Sequence, residues 1–219
     1  VMSQFPDGNI VVSSIEHESV LEPAGNYERR LAPVTKKGMI DLVALERLID
    51  EKTVLVSVMY ANNEIGTIQP IKQVASLIQK IRQKRSMTLD RQLTKPYPLY
   101  LHTDACQAAN YLDLSVARLG VDMMTLNGGK IYAMKQSGCL FVHKDVNLSS
   151  LVQGGGQERS LRSGTENIAS LLAFATMLQK VQKTKNAEVK RLSELSKSLY
   201  ATLSQKVVGI SLNGDAKKR

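Results

Sequence analysis

The stretch VLVSVMYANNEIGTIQPIKQVASLIQKIRQKR, Val54 to Arg85, contains a strand, its polar end and the helix that follows. VLVSVMYA is an unbroken apolar run with no alternation to leave one side wet, the pattern of a strand covered on both faces of a parallel sheet. Asn62 and Asn63 close it. Pro70 then opens a helix, where its missing N–H costs nothing. Ile71, Val74, Leu77, Ile78 and Ile81 recur at helical spacing, with Lys72, Lys80, Arg82, Lys84 and Arg85 around the other side.

The same alternation extends in both directions. Upstream, NIVVSS (Asn9 to Ser14) is a short β-branched run, and MIDLVALERLIDEKT predicts a helix capped by Asp41. Downstream, a polar insert, SMTLDRQLTKPYP, leads to the strand LYLHTD (Leu99 to Asp104) and the small-residue segment ACQAAN, predicted as helix. VDMMTLN and GCLFVH predict two more strands. A β-α-β-α-β order specifies an α/β fold, a mostly parallel sheet with helices on both faces. The end of the chain has helical spacing from Ile168 through Leu203, with KTKN (183–186) as a candidate bend or boundary. VVGISLNGD (207–215) predicts a strand that starts something new.

Composition excludes several classes. At 219 residues, 43% hydrophobic and 22% charged, the chain suits a globular core, and no apolar run reaches the length of a membrane span. The start, VMSQFPDGNIVVSS, lacks the basic and apolar segments of a signal peptide. Two cysteines, Cys106 and Cys139, cannot form a disulfide framework and fit a reducing cytoplasm, the expected location. The net charge of +9 is spread along solvated helix faces, so no nucleic-acid partner is expected. Both ends read as cut, and a piece of a longer protein is expected.

Parallel sheets collect ligands at the carboxyl ends of their strands. Three such ends are polar here: Asn62 and Asn63, Asp104 and Gln107, and Asn127 to Lys130. Lys130, in LNGGKIYAMKQSG, either reaches water or, partly desolvated, acts as a nucleophile, most familiarly as a Schiff base with pyridoxal phosphate. Asp104 ends an apolar strand and needs a donor or cation; it either caps the ACQAAN segment or pairs with a protonated pyridine nitrogen. Gln107 lies on the same side and could donate to a phenolate oxygen. The glycine-rich QGGGQERSLRSGTEN (153–167), with Arg159, Arg162, Ser163 and Thr165 before a helix, suits a phosphate or is an ordinary capped loop. His17, in SSIEHESV, is either a packed loop residue or a ring that stacks and moves protons. No metal site is read.

YANNEIGTIQPI, HTDACQA, GVDMMTLNGGKIY and GGGQERSLRSGTEN, in that order, resemble the cysteine desulfurase and selenocysteine lyase family, NifS/IscS-like enzymes of the pyridoxal-phosphate fold-type I class. The resemblance implies a large cofactor domain over 1–183 and the start of a small α+β domain over 184–219. It implies that Lys130 carries pyridoxal 5'-phosphate, that His17 stacks on the ring and assists proton transfer, and that Asp104 pairs with the ring nitrogen. Asn63 and Gln107 match contacts to the ring oxygen and its surroundings. Asn127 stands where the family has a phosphate-binding serine, and Thr165 matches a threonine reaching the phosphate in a neighbouring subunit, which implies a homodimer.

The implied reaction takes sulfur from L-cysteine, leaves L-alanine and passes the sulfur through an enzyme cysteine to an acceptor or iron–sulfur scaffold protein. Selenocysteine lyase is the nearest alternative, and a non-catalytic scaffold another. Gly129 replaces the family's histidine before the lysine, and Ala133-Met134 replaces Gly-Pro after KIY. The family's upstream phosphate loop and its sulfur-accepting cysteine would lie outside Val1 to Arg219, and neither Cys106 nor Cys139 matches that cysteine. The 219-residue piece is therefore not expected to turn over cysteine.

Overall fold

A computed structural model describes residues 1–88 and 97–219. The middle of the polar insert, residues 89–96, lies outside the described residues. In chain order the elements are β1 (Asn9–Ser13), α1 (Glu18–Ala24), β2 (Glu28–Ala32), α2 (Leu42–Leu48), β3 (Thr53–Ser57), α3 (Ile71–Thr88), β4 (Tyr100–Asp104), α4 (Val116–Leu119), β5 (Met123–Asn127), β6 (Gly138–Val142) and α5 (Ile168–Lys206). The six strands form one sheet in the order β2-β1-β3-β4-β5-β6. The first five are parallel and β6 returns antiparallel.

The apolar runs of β1, β3, β4 and β5 become strands because they are buried on both sides, whereas the edge strand β6 stays exposed to half-buried. One face packs Val11, Val56, Leu101 and Met124 against Leu45 of α2, Ile71, Val74 and Ile78 of α3, Leu119 of α4, and Phe174 and Val181 of α5. The other packs Ile10, Val12 and Val54 against Met2 and Ala24 of α1. Asp41 caps α2 as expected, its Oδ1 accepting from the amides of Val43 and Ala44 at 3.0 Å each. Such a cap is worth about 1 kcal/mol.

Three local expectations fail. ACQAAN is a run of turns rather than a helix. KTKN neither bends nor ends the last helix, because its polar residues lie within a solvated stretch of α5, 39 residues without interruption. VVGISLNGD forms no strand: Gly209 and Gly214 adopt φ of 80° and 91°, and Val208 is fully exposed, so the run is neither extended nor buried. The tail instead returns to the loop after β3, where the Ile68 amide donates to the Lys218 carbonyl at 2.9 Å and the Asp215 amide to Thr67 Oγ1 at 3.1 Å.

Candidate active site

The carboxyl ends of β1, β3, β4 and β5 are joined by specific bonds. The Tyr60 amide donates to the Asp104 carbonyl at 2.8 Å, linking the exits of β3 and β4, and the Ala105 amide donates to the Thr125 carbonyl at 3.0 Å, linking β4 to β5. Asn62 organises the loop after β3: its Oδ1 accepts from the amides of Glu64 at 2.9 Å and Ile65 at 3.0 Å, and its Nδ2 donates to the Ile15 carbonyl at 3.0 Å. That last bond ties the loop, with Asn63 exposed on it, to the turn after β1.

That turn presents Glu16 and His17. His17 is exposed and caps α1, its Nδ1 accepting from the Ser19 amide at 3.1 Å. Glu16 is buried, 6% exposed, and its Oε1 accepts from the Met59 amide. Burial and, less strongly, the negative charge of Asp104 push its carboxyl up to about 8, although the Met59 bond opposes this. Asp104 is itself buried, and its Oδ1 accepts from the Cys106 amide at 2.8 Å. Among the described residues, Asp104 has no ion-pair partner.

After β5, Asn127 Oδ1 accepts from the Gly129 amide at 2.8 Å and starts the single turn 128–130. Gly128 is required there, since a Cβ would come 2.0 Å from Ser137 Oγ. Lys130 ends the turn, and its carbonyl accepts from Asn110 Nδ2 at 2.6 Å. Lys130 is exposed, so of the two readings of its side chain the structure has the one that reaches water, and the partly desolvated one is corrected. The Cys106 thiol feels both charges. Burial raises it first, the Asp104 carboxylate raises it further and the Lys130 ammonium opposes. One thiol thus feels both proposed functional groups, and it is held far from its thiolate form.

Beneath Asp104, a ladder crosses the central strands: Ser57 Oγ to His102 Nδ1 at 2.8 Å, and His102 Nε2 to Thr125 Oγ1 at 2.8 Å. Burial lowers the His102 imidazole to about 4 despite the attraction of Asp104, so it is neutral near pH 7.

His17, Asn63, Asp104, Asn127 and Lys130 thus stand on neighbouring strand exits. Gln107 is half-buried in the turns after Asp104. Thr165 is exposed on the loop before α5, and among the described residues no hydrogen bond or ion pair joins it to the others. Reading the sequence left out Glu16, His102 and Asn110. Each lies one or two residues from a residue or segment that was read, but burial and long-range partners are what distinguish them. A cationic ring nitrogen fits this arrangement, because it would supply the opposite charge that the buried Asp104 lacks.

Residues 2–219 match the family described as Aminotransferase class-V. The chain is 37% identical over 216 residues to cysteine desulfurase IscS 1 of Archaeoglobus fulgidus, covering 96% of this chain and 52% of that protein. It is 31% identical over 216 residues to cysteine desulfurase IscS of Dictyoglomus turgidum, covering 96% and 51%. A solved NifS-like protein superposes with a TM-score of 0.86 at 28% identity, covering 99% of this chain and 57% of that one. The chain spans about half the length of the curated relatives it matches. With a match that runs through the sheet, the strand-end loops and α5 alike, the chain belongs to the class-V aminotransferase family.

Proposed function

We propose that this chain is the cofactor-bearing part of a pyridoxal-phosphate-dependent cysteine desulfurase, acting on L-cysteine and leaving L-alanine. The observation that carries the reading is Asp104, a buried carboxylate at a central strand exit with no cationic partner among the described residues, one strand from the exit that bears Lys130. The relatives named cysteine desulfurase support the choice of substrate.

When bound, pyridoxal 5'-phosphate supplies an electron sink for the substrate's α-carbon. In this reading Lys130 holds the cofactor covalently and Asp104 keeps a proton on its ring nitrogen. His17, with Nδ1 engaged by the Ser19 amide, uses Nε2 for proton transfer and its ring for stacking. Asn63 and Gln107 address the ring oxygen, and Asn127 the phosphate. Thr165, exposed and away from the other residues, serves the phosphate of a second copy in a homodimer. Neither cysteine is assigned the sulfur, because neither Cys106, in the turn after β4, nor Cys139, on β6, stands at the family's sulfur-accepting position. The sulfur acceptor, an iron–sulfur scaffold or another thiol protein, the cytoplasmic location and a small domain opening at 184 belong to the same reading.

The test is covalent trapping. Incubation with pyridoxal 5'-phosphate, borohydride reduction and peptide mapping should place the pyridoxyl label on Lys130, and Lys130→Ala should abolish it. A label on Lys135 instead would overturn the assignment.

A further inference from the structure

We propose that Glu16 is a positioning residue of this site: its carboxyl group joins the turn that carries His17 to the loop that carries Asn63, beside Asp104. The inference rests on the functional reading above for what the site holds, and on the cofactor-free structure for how it is built.

Two bonds join the turn after β1 to the loop after β3. The Ile15 carbonyl accepts from Asn62 Nδ2 at 3.0 Å, and Glu16 Oε1 accepts from the Met59 amide. His17 follows Glu16 directly, and Asn63 follows Asn62. The second oxygen, Oε2, is buried and has no partner among the described residues. An ionised carboxylate would not tolerate that; a carboxyl group that keeps its proton tolerates it far better, because the charge that needs solvation is absent. Asp104, at the exit of β4, is the charged group whose field reaches Glu16. From the loop after β3 Glu16 meets the Met59 N–H, and on its own turn the ionisable neighbours His17 and Glu18 are exposed. Both burial and Asp104 favour the protonated form. A neutral Glu16 leaves Asp104 as the single anion beside the ring nitrogen while supplying the acceptor that the Met59 amide requires.

The decisive comparison is between Glu16→Gln, which keeps an acceptor and cannot ionise, and Glu16→Ala, which removes both. In the cofactor-free chain, amide exchange at Met59 should be protected in the parent and the glutamine variant, and faster by roughly tenfold or more in the alanine variant. The His17 ring resonances should shift in alanine and return in glutamine. Because the folded pKa is raised from 4.5 to about 8, the folded state holds the proton that the unfolded state releases. The parent should therefore lose stability as pH rises through that window, and Glu16→Gln should remove the loss. An unchanged Met59 exchange rate or unchanged His17 resonances in a folded alanine variant overturns the proposal. If the alanine variant does not fold, a parent-like alkaline loss in Glu16→Gln overturns it. With pyridoxal 5'-phosphate added, Lys130-dependent binding should weaken roughly tenfold or more in the alanine variant and recover in glutamine; equal binding in all three overturns it. A parent that takes no label at Lys130 defeats the functional reading, and the cofactor-free measurements then still decide whether Glu16 joins the two segments.

Discussion

Asp104 spends one oxygen on the Cys106 amide, a bond that holds a turn rather than a helix. Losing such a bond costs about 0.5–2 kcal/mol, well below the ~2–5 kcal/mol of a large core truncation. Asp104→Ala in the full-length protein should therefore lose activity by several orders of magnitude while unfolding within about 2 kcal/mol of the parent in urea. Loss of stability on the scale of a core truncation would show that Asp104 serves the fold. Asp104 and Lys130 could be picked out of the sequence because Asp104 ends one strand-like run and Lys130 follows another within a few residues, so both belong to a strand exit. Glu16 could not, since its raised pKa comes from burial and then from Asp104, against the Met59 bond, and only the folded chain supplies these. The exposure of Lys130 was left open between two readings for a related reason: a glycine pair shows that the backbone turns, but not which way the side chain leaves.

Four of the five parallel strands were legible because burial on both faces leaves few polar positions in the run, as in Thr53–Ser57 and the residues that follow it, whereas the edge strand β2, with Glu28, Arg29 and Arg30, gives no apolar run and was not read. The failed strand at VVGIS shows the converse. Three of its five residues favour extended backbone, but Gly209 takes a left-handed conformation and Val208 finds nothing to cover it. Strand propensity expresses itself only where packing accepts it. Across β3, β4 and β5 the packing is partly polar, through the Ser57–His102–Thr125 ladder. Removing one hydroxyl leaves a buried ring nitrogen without its partner. Ser57→Ala and Thr125→Val should each cost about 1–3 kcal/mol in urea unfolding, with amide exchange in β4 rising in both. Costs below about 0.5 kcal/mol would mean that water replaces the hydroxyl.

Across the whole molecule, two buried titrations oppose each other. His102 has a folded pKa lowered from 6.5 to about 4, so the unfolded state binds the extra proton in that window and stability falls as pH falls through it. Glu16 acts in the opposite sense, with stability falling as pH rises from 4.5 toward about 8. The thermal midpoint should then change little between about pH 4.5 and 6.5, where the two nearly cancel, and decline above it. A His102→Asn variant should lose its part of the acid-side fall. A midpoint that climbs steadily to pH 8 in the parent would contradict the Glu16 assignment, since His102 alone raises stability with pH only up to about 6.5. No composition count anticipates this, because both groups owe their shifts to burial.

The last helix adds a mechanical consequence. At 39 residues α5 is about 58 Å long, and roughly 37 Å of it lies beyond its last buried residue, Val181, the first part of that still held where Gln182 donates to the Ala109 and Leu112 carbonyls. A tilt of about 5° at that fulcrum sweeps the distal tip through about 3 Å. The short tail from the tip is moored to Thr67 and Ile68, so the rod and tail form a closed linkage whose other end is the loop bearing Asn63. The far end of the longest helix and the loop at the strand exits are thus neighbours through the tail, although Ile168–Lys206 and Asn63 lie far apart in the sequence.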